Sequence, residues 1–388
     1  MIDSVPDDRH CIVIGAGLLG LSAAWALARR GRRVLVLEAA AAPGHERAGS
    51  KGDARIFRLG YAEPHYVAMA VLARTGWLDL ERTTGRQLLH VTGQVTMGDA
   101  AALDSIAGAL AAAGAPVEHL SARAVARRYP GIAPAGPALV EPDSGVLAAD
   151  ECLRALREAA AVEFRTGTRV TSVHDRSPDP VTVETAGGTT LEADVVIACA
   201  GPATLGLVGT GAAVAAAPSL PQVAYFRPQR GGAALLPVFI EWGDDMIYGL
   251  PVPGTGPHAG TYKVSHHTPG PVLATYDPAD PAAFAMDDPA LLARLTAVVG
   301  RLLPTLVPSP VATERCLYDN TVDADFVLDR VGRIVVGCGT SGHGFKFGPL
   351  LGELMADLAE GSRPPIDLGP FRLTRDPVAA HGTAPGPH

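Results

Sequence analysis

A chain of 388 residues exceeds what one hydrophobic core holds, because single cores stop growing near about 250–300 residues, and so predicts two interleaved domains. Its 32 basic and 40 acidic residues leave a net charge of −8; with no run of Lys or Arg to track a phosphate backbone, this opposes nucleic-acid and anionic-membrane partners. Hydrophobic residues make up 47% and charged ones 19%, too apolar for disorder, while the most apolar stretches, 106–117 and 205–220, are broken by Gly or Pro before reaching the ~20 residues of a membrane span.

The N-terminus, MIDSVPDDRH, carries neither a basic n-region nor an apolar h-region, which predicts a cytoplasmic protein. Residues 11–14 read as a buried strand, 18–30 as a helix ending at Gly31, and 34–37 as a second strand, together a βαβ unit. In its turn, Gly15 permits the tight bend, Gly17 lets a pyrophosphate approach the backbone, and Gly20 allows helix to pack on strand, while the helix N-terminus offers unpaired N–H groups to phosphate. Glu38 follows Gly17 by about 20 residues, where a carboxylate accepts hydrogen bonds from an adenosine ribose. The alternative is a glycine-rich structural turn of another α/β protein.

Residues 49–61, GSKGDARIFRLGY, form a basic, glycine-rich loop running into a strand. Residues 121–129 read as helical, 162–173 as strand-like, and 193–202 as a buried parallel strand whose C-terminal end faces a ligand. Strands of a second region are expected at 246–250 and 261–267, and a helix at 289–303, with Asp288 as N-cap and Pro289 at the first helical position. The closing unit, 333–360, reads as a strand, the loop CGTSGHGFKFGP and a helix from about Leu350, a second cradle for an anion or flavin. The chain after Thr374 is expected to be loose. Five cysteines without CxxC spacing predict neither a disulfide framework nor a metal site. Only three of the basic residues are lysines, Lys51, Lys263 and Lys346, a bias that fits a GC-rich coding sequence.

Four pieces, GAGLLG with Glu38, GDARIFR, ERCLYDNTVDADFVLD and GTSGHGFKFGP, resemble in order and spacing the monomeric sarcosine oxidase and N-methyltryptophan oxidase group of FAD-dependent amine oxidases, related to D-amino-acid oxidase. EPDSGVL at 141–147 adds a lesser match, and the likeness runs from about Cys11 to Phe371. It implies an α/β fold with an α+β second domain. A discontinuous Rossmann-like FAD-binding domain (1–85, 147–219 and 317–375) would join an antiparallel-sheet substrate domain (86–146 and 220–316), with 376–388 as a loose tail.

The resemblance further implies FAD linked through Cys316 to the flavin 8α-methyl, with Gly15, Gly17, Gly20, Glu38, Val170, Gly342, His343, Gly344 and Lys346 as cofactor contacts. Arg58 would clamp a substrate carboxylate bidentately, Lys346 would add a second positive contact, and Arg55 would lie on the flavin's other face. Lys263 would stabilise the charge that develops on O2 during its reduction. His267 and Tyr318 would shape the amine pocket, although His266 competes with its neighbour. Taken alone, Cys316 reads as a small buried apolar residue, the arginines as exposed ion-pair formers and Lys263 as a surface lysine. Ser50 and Lys51 stand where sarcosine oxidases have two histidines, and Leu59 and Gly60 replace His-Ala.

The expected activity is oxidation of a secondary or cyclic amine or amino acid, with hydride transfer to FAD, an imine product and O2 reduced to H2O2. The alternatives are a flavin-dependent amine dehydrogenase of low oxygen reactivity and an FAD monooxygenase. Expected partners are the small-molecule substrate and O2, without nucleic acid or membrane, and the chain is expected to be a monomer.

Overall fold

The computed structural model describes residues 10–45, 47–209, 214, 216–229, 236–243, 246–268, 270–273, 284 and 287–376. The strand His10–Ile14 and the strand Arg33–Leu37 lie side by side and parallel, joined by helix Leu18–Arg29. Both strands are runs of Val, Ile and Leu without alternation, as expected where helices or other layers cover both faces of a sheet. Strand Val195–Ala198 adds on the other side of the first, also parallel. Strand Ile334–Cys338 extends that edge and turns back in a hairpin to Val327–Val331, while Glu163–Arg165 closes the opposite edge. The six-stranded sheet thus draws on the beginning, the middle and the end of the chain. The expected strand over 162–173 is in fact two, Glu163–Arg165 and Val170–His174, separated by a turn at Gly167 with φ +65°.

Helix Leu18–Arg29 packs along helix Gly348–Glu360, and Arg30 at its end pairs with Glu353, Asp357 and Glu360. The longest helix, Pro64–Thr84, buries Tyr66, Met69, Ala70, Ala73, Trp77 and Leu80 on one face. Burial of each large apolar side chain there contributes about 1.5–3 kcal/mol. Gly85, in the left-handed conformation, ends that helix.

A second, eight-stranded sheet runs in the order Leu306–Arg315, Gln222–Pro228, Tyr262–His266, Ile247–Pro251, Val238–Glu241, Gln94–Met97, Ala138–Glu141, Glu118–Leu120. Its pairings are antiparallel except that between Val238–Glu241 and Gln94–Met97. Helix Pro289–Leu302 covers one face, with the Asp288 carboxylate accepting from Leu291 N as its cap. The three-stranded sheet of Ala54–Phe57, Gly145–Ala148 and Leu89–His90 packs against the strand Ile247–Pro251 of the eight-stranded sheet and against helix Ala149–Ala160.

Among the described residues, no helix is long and apolar enough to cross a membrane and no cluster of side chains is arranged for a metal. The expectation of a loose chain after Thr374 fails at the first residue. Arg375 is buried, bonded to both oxygens of buried Asp323 (2.7 and 2.8 Å) and to the carbonyls of Asp325 and Phe326. Residues 377–388 of that expected tail lie outside the described residues.

Candidate active site

The parallel strands end together at a cavity of about 470 Å³ bounded by Ile14, Leu37, Cys199 and Cys338. Gly15 turns there with φ +96°, and a Cβ on it would meet Cys199 O at 2.4 Å; only glycine takes that bend at that distance. Gly17 lines the cavity, whereas Gly20 does not. A Cβ at Gly20 would fall 1.8 Å from Gly15 O, so its part is to let the helix start close against the turn. The helix N-terminus meets the loop 49–53, with Leu18 N donating to Ser50 Oγ (2.9 Å). Glu38 also faces the cavity; its two oxygens accept from Ala16 N and Ala40 N (2.7 and 2.8 Å), which fixes the carboxylate at the end of its strand.

Val170, Gly342 and Gly344 line the same space. So does Asp319, a residue that motif reasoning passed over. One of its oxygens accepts from Gly339 N (2.7 Å), the other has no partner, and burial pushes its carboxyl up to about 6. A long cavity with a helix N-terminus and a carboxylate at one end fits a dinucleotide.

That cavity continues into a smaller one through Arg55, Tyr318, Gly342 and Phe345, which line both. The smaller cavity brings together Arg58, Lys263, His267, Cys316, His343 and Lys346, from four separate segments of chain. His343 and Lys346 face this second space rather than the first. Arg58, Lys263 and Lys346 are each only 4% exposed. Arg58 donates to Gly60 O (2.8 Å), and its guanidinium lies 4.1 Å from the ring centre of Tyr61 and 5.5 Å from that of Trp242. Lys346 donates to Tyr61 Oη and His343 O, both at 2.7 Å. Burial, and then the charge of Arg58, push the Lys346 ammonium well below the usual lysine range. Lys263 lies 3.4 Å from Ala54 O; burial and then Arg55 lower it to about 8.

Among the described residues no carboxylate comes within ion-pair distance of these three cations. Buried positive charge without an ion-paired carboxylate is costly, so Arg58 and Lys346 equip the cavity to receive an anion. Arg55 turns toward the loop instead, donating to the carbonyls of Gly49 (3.2 Å), Lys51 and Ala54 (3.0 Å), with its guanidinium over Phe345.

Cys316 follows the strand Leu306–Arg315 and is 6% exposed, beside Tyr248 and Tyr318. Arg315 does not extend into solvent; it donates to Leu220 O (2.9 Å). Tyr248 and Tyr318 line the cavity together, and burial holds both phenols above their usual range. The competition between the two histidines is decided by strand alternation. His267 faces the cavity and packs against Trp242 with ring centres 4.4 Å apart, whereas His266 turns away to Thr268 (2.9 Å). The His343 ring packs among Tyr66, Phe326 and Phe347 and bonds Ala324 O (3.0 Å), while its backbone N donates to Thr340 O (3.0 Å).

Glu141 is the positioning residue that sequence reasoning missed. Buried, it accepts from Leu59 N (3.1 Å), Gly60 N (2.8 Å), Ser144 Oγ (2.7 Å) and Gln94 Nε2 (2.7 Å), and so fixes the turn that follows Arg58. A Cβ at Gly60 would lie 2.5 Å from its Oε1, which gives the glycine at that position a steric reason. An acidic residue at the head of EPDSGVL was the available signal.

Comparisons with known proteins show the family and the fold. The FAD dependent oxidoreductase (DAO) family model matches residues 10–358. Peroxisomal sarcosine oxidase of Homo sapiens is 34% identical over 387 residues, covering 94% of this chain and 96% of that enzyme. N-methyl-L-tryptophan oxidase of Salmonella agona is 30% identical over 386 residues, covering 94% and 98%. Among solved structures, the open form of NikD, an unusual amino acid oxidase essential for nikkomycin biosynthesis, superposes with a TM-score of 0.79 at 27% identity, over 94% of this chain and 98% of NikD.

Proposed function

The chain belongs to the FAD dependent oxidoreductase family, and on that premise we propose that it oxidises a secondary or cyclic amino acid, or a related amine bearing a carboxylate, to the imine. The observation that carries this reading is the convergence of Arg58 and Lys346 on Tyr61, beside Cys316 and Lys263, with no carboxylate among the described residues within ion-pair distance of either. FAD supplies the hydride acceptor and, once reduced, the electrons that convert O2 to H2O2.

The chain holds the cofactor and arranges the reactants. Gly15, Gly17 and the N–H groups of the helix start receive the pyrophosphate, Glu38 the ribose, and Val170, Gly342 and Gly344 the remaining wall. Gly20 acts through packing. Cys316 lines the smaller cavity, two residues before Tyr318, which lines both, and its Sγ would bind the flavin covalently. Arg58 and Lys346 grip the substrate carboxylate and so fix the amine and its C–H bond against the cofactor, an orientation effect. Only a neutral amine gives up a hydride readily, and the ring of His267 with the Tyr248–Tyr318 pair encloses it. Lys263, whose ammonium is fixed on the strand Tyr262–His266, stabilises negative charge developing on O2. Arg55 sits where the cavities meet and supports the loop 49–53. The same reading divides the chain into a cofactor domain (1–85, 147–219 and 317–375) and a substrate domain (86–146 and 220–316), acting as a monomer.

Replacing Arg58 by Lys should raise KM for a carboxylate substrate about tenfold or more, because a planar bidentate donor becomes a point charge; an unchanged KM sinks the clamp. Acid precipitation of the holoenzyme should leave the yellow colour in the pellet, and Cys316→Ala should release it. Colour in the supernatant of the parent protein refutes the covalent bond.

A further inference from the structure

Behind Lys263 lies a set of groups that the reaction outlined above does not use. Tyr225 stands opposite Lys263 in the strand pairing, with the ammonium 6.0 Å from its ring centre. Its hydroxyl donates to Glu314 Oε2 (2.8 Å), and Glu314 Oε1 meets His258 Nε2 at 3.0 Å. The His258 ring lies 3.8 Å from that of Tyr225, and its backbone N donates to Asp53 (2.9 Å). Lys51, left without a role by its sequence, brings its charge toward Glu314. We propose that Glu314, fixed by Tyr225 and His258, is the counter-charge that keeps the buried Lys263 ammonium protonated, and is thereby a positioning residue for the reduction of O2.

The groups around Lys263 leave few others for that task. The strand Ala54–Phe57 and the residue before it bring Arg55, which repels the ammonium, and Asp53, which is already bonded to the backbone of His258. The partner strand Ile247–Pro251 places Leu250 opposite it. Helix Pro289–Leu302 packs on the other face of the sheet, with Val264. Cys316 favours the ammonium only as a thiolate, a charge it loses as a thioether to flavin. Glu314 remains. Burial opposes its ionisation, but the bonds from Tyr225 and His258 and the charge of Lys51 outweigh burial and hold its carboxyl below the usual range. Tyr225, raised by its own burial and by Glu314, stays a protonated donor. O2 gains two electrons from the reduced cofactor and two protons to leave as H2O2; Lys263 must be charged while the electrons arrive.

This inference rests on the oxygen role assigned to Lys263, and the test separates the two. The holoenzyme is labelled with ε-13C lysine, and its three lysine signals are titrated and assigned with Lys→Arg variants. In Glu314→Gln the Lys263 midpoint should fall by about one pH unit while that of Lys346 stays, and Glu314→Asp should restore it. The alkaline limb of flavin reoxidation by O2 should fall by the same amount. An unmoved Lys263 midpoint overturns the counter-charge. A midpoint that moves while the reoxidation limb does not overturns the oxygen role of Lys263 and leaves the counter-charge standing. Should Glu314→Gln fail to fold, the double variant Glu314→Leu/Tyr225→Phe removes the carboxylate together with its donor, and the same midpoint decides.

Discussion

At the scale of single residues, the site is a matter of charge placed where water cannot reach it. Arg58, Lys263 and Lys346 are buried, and their burial makes the site both selective for anions and sensitive to pH. Lys263 titrates near 8 because burial and Arg55 disfavour its charged form. The ammonium is therefore complete below that pH and is lost as pH rises through it. Rapid-mixing measurements should show the second-order rate constant for reoxidation by O2 declining above about pH 8. Lys263→Met should be slow, by about 10²-fold or more, and flat across the same range. A parent profile without an alkaline limb, or a Met variant as fast as the parent, contradicts the assignment. The three lysines were legible as exceptions to a chain that otherwise uses arginine, and the structure puts Lys263 and Lys346 in the smaller cavity. That the charge of Lys51 acts on Glu314 was not legible, because the 263 residues separating the two give no local pattern and only the fold brings them together.

At the scale of elements, local motifs were readable wherever one segment holds all the information. The strand–glycine–helix–strand unit at 10–38 and the capped helix Pro289–Leu302 depend on neighbours in sequence, and the structure places them within a residue or so of expectation. The helix Pro64–Thr84 was passed over, although Tyr66, Ala70, Ala73, Trp77 and Leu80 recur at three- and four-residue intervals, a helical stripe. The strand over 162–173 was read as continuous because its apolar spacing masks the turn at Gly167. The Arg58 turn was invisible for another reason: its fixing carboxylate, Glu141, comes from a strand more than 80 residues away. Glu141→Gln puts an amide donor against the N–H groups of Leu59 and Gly60 and should cost about 1–3 kcal/mol of stability. Because Arg58 is displaced with the turn, KM for the substrate should rise while kcat changes less. Chemical denaturation and steady-state kinetics test both parts, and a rise in KM without loss of stability would show that Glu141 acts on the substrate directly.

At the scale of the whole molecule, the fold joins distant ends of the chain to make one site. The six-stranded sheet takes strands from His10–Ile14, Val195–Ala198 and Ile334–Cys338, so the cofactor cavity exists only when all three are in place. Arg30 with its three acidic partners ties the first helix to the last, and Arg375 with Asp323 fastens the end of the described chain beneath the strand that follows Cys316. The strand Tyr262–His266 of the eight-stranded sheet, with the residue after it, brings Lys263 and His267 to the same cavity as Lys346 on the turn Phe345–Phe347. The central claim is that this assembly oxidises amines it holds by their carboxylate. The direct measurement is anaerobic mixing of the holoenzyme with N-methyl and cyclic amino acids, and with the same amines lacking the carboxylate, followed by admission of O2. The account predicts that a carboxylate-bearing amine bleaches the flavin much faster than its counterpart, and that O2 restores the colour with one H2O2 per turnover; bleaching by neither, or by both equally fast, contradicts it.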